Sequence, residues 1–211
     1  GIKPISGSSL RVIFDGDDSS HELLCLAKNN NGHKNLMRAI SKAHNNYLYQ
    51  TPILNFNDLE ELRNDVIVIS GGKDSHLFEL IKRKKIDEAA NRIDKFLGVF
   101  KEDFFIEIQK TNRPDEQEFL TNILPISNSK GVPLIATNDV LFSEKNDYEI
   151  HETKVCINTG RTLNDPNREK PFSSEQYFKS PDEMSNLFVD FDELIKNTNE
   201  VAKKCNVSLH T

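Results

Sequence analysis

Asp139 is the residue best placed to do chemistry. With Asn138 it directly follows the apolar run 134–137, and the carboxyl end of a strand is where α/β sheets and barrels hold their ligands. A second place is the string SGGKDS, opened by Ser70 and closed by Ser75. It lies between an apolar run and a helical segment, and its glycines, Lys73 and a helix start could cradle a phosphate. His151 and Glu152 offer an acid and a base side by side. On a helix, however, adjacent residues point about 100° apart and do not converge on one atom, so a structural histidine is the simpler reading. Cys25, Cys156 and Cys205 are odd in number and widely spaced, which proposes neither a disulfide framework nor a CxxC metal site and leaves three reduced thiols.

The elements that hold these side chains follow from periodicity. Short apolar runs alternate with segments of helical period, the sequence form of an α/β domain with mainly parallel strands. Residues 10–14 and 23–27 read as strands. A helix over 32–45 follows, with Leu36, Met37, Ile40 and Ala43 on its inward side. Asn57 and Glu60 have capping-box spacing and predict a short helix over 58–62. The β-branched run 66–69 is too short for a helix and apolar on both faces, as a strand buried between layers must be; Gly71 and Gly72 end it. Two helical stretches share 76–97, the first ending near Lys85, and 104–108 alternates as a strand. Pro114 marks the start of a helix over 115–130, in which Pro125 removes a backbone donor and predicts a kink; Gly131 stops it. After the strand 134–137 come a helix over 147–159 closed by Gly160 and a turn-rich loop over 162–171. Ser180, Pro181 and Glu183 supply cap, first-turn proline and capping-box partner for one helix, and 191–204 forms the last.

A chain of 211 residues can bury a substantial single core, and 36% hydrophobic with 28% charged residues is a globular composition. No stretch nears the roughly 18 consecutive apolar residues of a membrane helix, and Gly1, Ile2, Lys3 and Pro4 do not open a signal segment, so a cytoplasmic location is expected, with no membrane contact. The net charge of -6 argues against a free-standing nucleic-acid module, since phosphate binding needs a cationic face.

The strings GIKPISG, LAKNNNGHKNL, ATNDVLF, CINTGRTLNDPNR, SSEQYFKSPDEM and NTNEVAKKCN follow one another in the order seen in one family. They resemble the polymerase and histidinol phosphatase (PHP) domain of bacterial DNA polymerase III alpha subunits, in its degenerate, metal-poor form. The resemblance runs from Gly1 to about Asn206, and TLNDPNR together with EQYFKSPDEM is its most specific part. It implies a distorted (β/α)7 PHP barrel truncated at its amino terminus, because opening strands with a His-x-His and an Asp-His pair would precede Gly1. The PHP domain would then cover 1–196, and 197–211 would begin the connection toward the polymerase palm.

Active PHP domains resemble other metal phosphoesterases in holding several divalent ions with His and carboxylate ligands, which activate water against a phosphoester. At the matching positions this sequence is poor in such ligands. The resemblance implies Glu where Ser9 stands, His where Glu22 stands, often Cys where Gly72 stands and His where Thr111 stands. Asp139 keeps its carboxylate, while the His two places later is Leu141. Glu22 and Asp139 are the two remaining donors, and His21 lies beside Glu22 on the opposite strand face. Transition metals generally need three or four ligands, so no catalytic or metal residue is assigned. On the simplest reading Asp139 bonds to nearby backbone and Glu22 is exposed at a strand edge.

The function so implied is that of a non-catalytic scaffold within a replicative DNA polymerase III alpha subunit, docking the proofreading exonuclease subunit. Template-directed DNA synthesis, with palm-bound Mg2+, and contact with DNA and the sliding clamp would belong to domains outside this chain. Two rival readings are a metal-dependent phosphoesterase or second proofreader using the PHP site, and a nucleotide binder in which Ser70 to Ser75 resembles the loop of ATP pyrophosphatases.

Overall fold

Four β-branched residues with no polar interruption, Val66–Ile69, form strand β4, buried on both faces in the middle of a six-stranded sheet. The computed structural model describes residues 2–45 and 51–208. The strands are β1 (Gly7–Ile13), β2 (His21–Ala27), β3 (Leu54–Asn55), β4, β5 (Phe104–Gln109) and β6 (Leu134–Thr137), in the spatial order β3-β1-β2-β4-β5-β6. β1/β3, β4/β5 and β5/β6 pair in parallel; β2 runs the other way and makes the two antiparallel pairings, with β1 and β4. This is the α/β architecture expected, with the sheet open rather than closed into a ring.

The helices are α1 (Asn30–Asn45), α2 (His76–Lys82), α3 (Ile86–Phe100), α4 (Glu116–Lys130), α5 (Tyr148–Thr159), α6 (Pro181–Leu187) and α7 (Asp192–Lys204). Side chains alternate across each strand, so the sheet separates two apolar clusters. Leu23, Cys25, Val66, Val68, Phe104, Ile106, Leu134 and Ala136 face the larger one, with residues from α1 to α4. Ile67, Ile69, Phe105 and Ile135 face the smaller one, which Val201 of α7 and Cys205 just after it close. Glu22 and Glu107 fall on that second face by the same alternation. The step from residue 196 to 197 lies inside α7. Asn197 Nδ2 donates to the Leu134 carbonyl at 2.9 Å; Thr198 Oγ1 donates to the Ala136 carbonyl at 2.7 Å and accepts its N–H at 3.1 Å.

Several local expectations change. The short helix before β4 is a 3-10 helix, Phe56–Leu62, and its reciprocal cap joins Asn55 with Asp58, whose carboxylate accepts the Asn55 N–H at 2.9 Å. Asn57 lies inside the first turn instead. Gly32, Leu36, Ala39 and Ala43 form the buried stripe of α1, whereas Met37 is 48% exposed because it sits one residue, about 100°, round from Leu36. Exposure does not alternate along β5: both of its faces are covered, so five of its six residues are buried. β2 is flanked by β1 and β4, which places Glu22 on a central strand and half-buried, not at an edge. Pro125 lies inside α4, and Gly131 and Gly160 end α4 and α5 in the left-handed region with φ 65°.

Candidate functional site

At the carboxyl ends of β4, β5 and β6 the second face of the sheet opens into a cavity of about 240 Å³. Ser9, Glu22, Gly72 and Asp139 line it, so four of the six positions implied by the resemblance meet there. Thr111 does not line it; fully buried, it stands behind the wall. Leu141 is 37% exposed, with its N–H on the Gln176 carbonyl at 2.8 Å.

The centre of the site belongs to Arg113. Asn112 and Asp115 adopt left-handed backbone, φ 57° and 72°, which Asn and Asp tolerate better than most residues. The tight loop between β5 and α4 turns the Arg113 side chain inward, where 7% of it is exposed. Its Nη1 donates to Asp139 Oδ2 at 3.0 Å and its Nη2 to Gln109 Oε1 at 2.5 Å. Its Nε reaches Thr111 Oγ1 at 2.9 Å and Glu116 Oε1 at 3.2 Å. Glu116, itself buried, accepts from the Thr111 N–H at 2.7 Å and from its hydroxyl at 2.5 Å. Asp139 therefore bonds to side chains, the Arg113 guanidinium and Gln176 Nε2 at 2.8 Å, rather than to backbone, and its bond to the guanidinium is charge-assisted.

Behind Arg113 the chain of contacts continues. Gln109 Nε2 donates to Glu107 Oε1 at 2.9 Å, and the Thr137 hydroxyl donates to the same oxygen. Burial pushes the Glu107 carboxyl well above the usual carboxylate range; the Thr137 and Gln109 hydrogen bonds oppose this, while the nearby charges of Asp139 and Glu22 add to it. Gln109 also fills the space a larger residue at 72 would need, since a Cβ on Gly72 would lie 2.5 Å from its amide. Gly71 has φ +81°, and a Cβ there would approach the Glu22 carbonyl to 2.8 Å. The SGGKDS string thus lines the same cavity through Gly71, Gly72, Lys73 and Asp74. Two of its amides are committed elsewhere: the Ser70 N–H donates to the Phe105 carbonyl at 2.9 Å and the Ser75 N–H to the Gly72 carbonyl at 3.1 Å.

The side chains present do not fit the multi-ion centre the resemblance implies. A guanidinium already compensates Asp139, and Ser9, Gly72 and Thr111 supply neither charge nor imidazole. His151 and Glu152 form no joint site. Glu152 is buried in an ion pair with Arg168, and the His151 ring packs edge-on against Phe172 at 4.9 Å.

A PHP domain model matches residues 1–111. The chain belongs to the PHP domain family. It is 38% identical over 216 residues to the DNA polymerase III subunit alpha of Escherichia coli (strain K12), an alignment covering 99% of this chain and 18% of that protein. The subunits of Haemophilus influenzae and Pseudomonas aeruginosa are 34% and 36% identical over the same shares. This PHP chain therefore spans about a fifth of the curated relatives it matches. Among the described residues no helix is long and apolar enough to cross a membrane. Sequence reasoning placed Asp139 and missed Arg113, Glu107, Gln109 and Glu116. The available signal was the motif TNRPDE, in which Arg113 stands three residues before Glu116, the acid that opens α4 and accepts from the Arg113 Nε.

Proposed function

We propose that this PHP chain is a non-catalytic scaffold of a replicative DNA polymerase alpha subunit, located in the cytoplasm, in which Arg113 supplies the positive charge that bound metal ions supply in hydrolytic members. The observation that carries the reading is the Arg113 guanidinium held between Asp139, Gln109 and Glu116. A fixed cation there satisfies the carboxylates without any ion to polarise water. The likeness to DNA polymerase III alpha subunits over 99% of the chain supports a parent that extends primers with Mg2+ bound in a palm domain outside this segment. The scaffold docks the proofreading exonuclease subunit, and DNA and the sliding clamp are met by other domains.

The test is made on the full polypeptide. With Mg2+ it should extend a primed template, and Asp139→Asn should leave that rate unchanged. With Mn2+ or Zn2+ it should release no phosphate from a model phosphomonoester and no nucleotide from a 3′-labelled strand. Metal-dependent release that disappears in Asp139→Asn would overturn the non-catalytic reading in favour of the phosphoesterase. The docking part is tested separately, by capture of the purified exonuclease subunit on the complete PHP domain; absence of capture would remove it.

A further inference from the structure

On the opposite face of the sheet, Asp17, His21 and His76 converge. Asp17 lies in the turn between β1 and β2, His21 opens β2, and His76 opens α2. The pairing of Val12 with His21 and the hydrogen bond from the Glu22 N–H to the Asp74 carbonyl at 3.4 Å bring the three segments together. One ligand atom from each residue lies within 4.8 Å of the other two. Among the described residues no other set of three or more His, Cys, Asp or Glu does this. We propose that Asp17, His21 and His76 bind a single divalent transition-metal ion of the zinc class, at a site separate from the Arg113 cavity.

Three observations support it. His76 is 8% exposed, and its Nδ1, 3.4 Å from Asp17 Oδ2, is buried with no hydrogen-bond partner, which native interiors rarely tolerate without a reason. Two imidazoles and a carboxylate are an ordinary zinc donor set that leaves a fourth position open. Supporting partners are also in place. Glu79 Oε2 lies 3.4 Å from His21 Nδ1, the arrangement that fixes an imidazole's tautomer, and Ser19 Oγ lies 3.2 Å from His21 Nε2, so an ion taken by Nε2 displaces that hydroxyl. Arg92 Nη2 holds both Asp17 oxygens at 3.2 and 3.3 Å, orienting the carboxylate while its charge weakens the site for a cation. The rings now stack in parallel, 3° between planes and 4.2 Å between centroids. Binding requires one ring to turn, drawing the donors to about 3.4 Å, the tetrahedral edge for bonds of about 2.0–2.1 Å. Asp17 and Glu79, 21% and 31% exposed, mark the solvent side from which an ion enters.

The experiment loads the full polypeptide with Co2+ or Zn2+, dialyses it, and counts bound metal by elemental analysis. His76→Gln should hold one equivalent less than wild type, and its Co2+ affinity at this site should fall by more than about 100-fold, beyond the 10–100-fold typical of losing a supporting partner. Bound Co2+ should show the intense visible absorption of four-coordinate geometry and be displaced by Zn2+. The double change Glu22→Gln, Asp139→Asn should leave all of this intact. Equal stoichiometry in wild type and His76→Gln, or loss only in the double variant, overturns the site. Should His76→Gln fail to fold by circular dichroism, Asp17→Asn, partly exposed, carries the same comparison.

Discussion

Glu107 sits in the middle of β5 with 7% of its surface exposed, held by Gln109 and Thr137 with no cation directly on it. Its carboxyl titrates above the unfolded value, so the native state binds a proton that the unfolded state has released. Its contribution to stability is complete below the unfolded pKa and is lost as pH rises toward the folded one. Glu107→Gln keeps an oxygen to accept both hydrogen bonds and removes the titration. The variant should equal wild type near pH 4 and gain on it as pH rises, by about 1.4 kcal/mol per unit while the native carboxyl stays protonated. Urea denaturation at several pH values measures this; a gap that does not change with pH would refute it. Such residues were hidden in the sequence for physical reasons. Glu107 lies in an apolar run and reads as a surface residue of an alternating strand, and Arg113 lies in a proline turn, where arginines are normally solvated. Asp139 was legible because a strand end fixes its position without knowledge of its partners.

At the scale of elements, periodicity located β4, β6, α4 and α7 closely, since each has one strong boundary signal or an unbroken apolar pattern. It did not give the sheet order. Nothing local in β2 says that it runs against both neighbours, and the two-residue β3 is too short to carry a period. Gly32 shows how packing reverses local preference. Alanine in place of glycine in a helix interior normally gains roughly 0.5–1 kcal/mol. Here a Cβ would drive into the Asp65 carbonyl, where α1 rests on the loop before β4. Gly32→Ala should therefore destabilise the fold by about 1–3 kcal/mol through overpacking, seen as a lowered Tm, and a raised Tm would contradict the close approach.

For the whole molecule, charge sets what it can meet. With 27 basic and 33 acidic residues the chain carries a net charge of -6, and Lys28 and Lys204 are both engaged with Asp103, so it offers a phosphate backbone no net positive charge. Fluorescence anisotropy with duplex DNA at physiological salt should show no binding up to about 100 µM, the weak end of non-specific association; saturable binding below that would show a basic face that the net charge conceals. The contacts that Asn197 and Thr198 make along β6 have a further consequence. Leu134 and Ala136 turn their outer amide and carbonyl groups away from β5, and these are the groups an incoming strand would need. With α7 side chains bonded to the Leu134 carbonyl and to both groups of Ala136, β6 ends the sheet among the described residues: a further strand extends the ladder there only after prising the helix off. Growth of the sheet, and any strand-to-strand association between copies, is thereby steered to the opposite rim at β3.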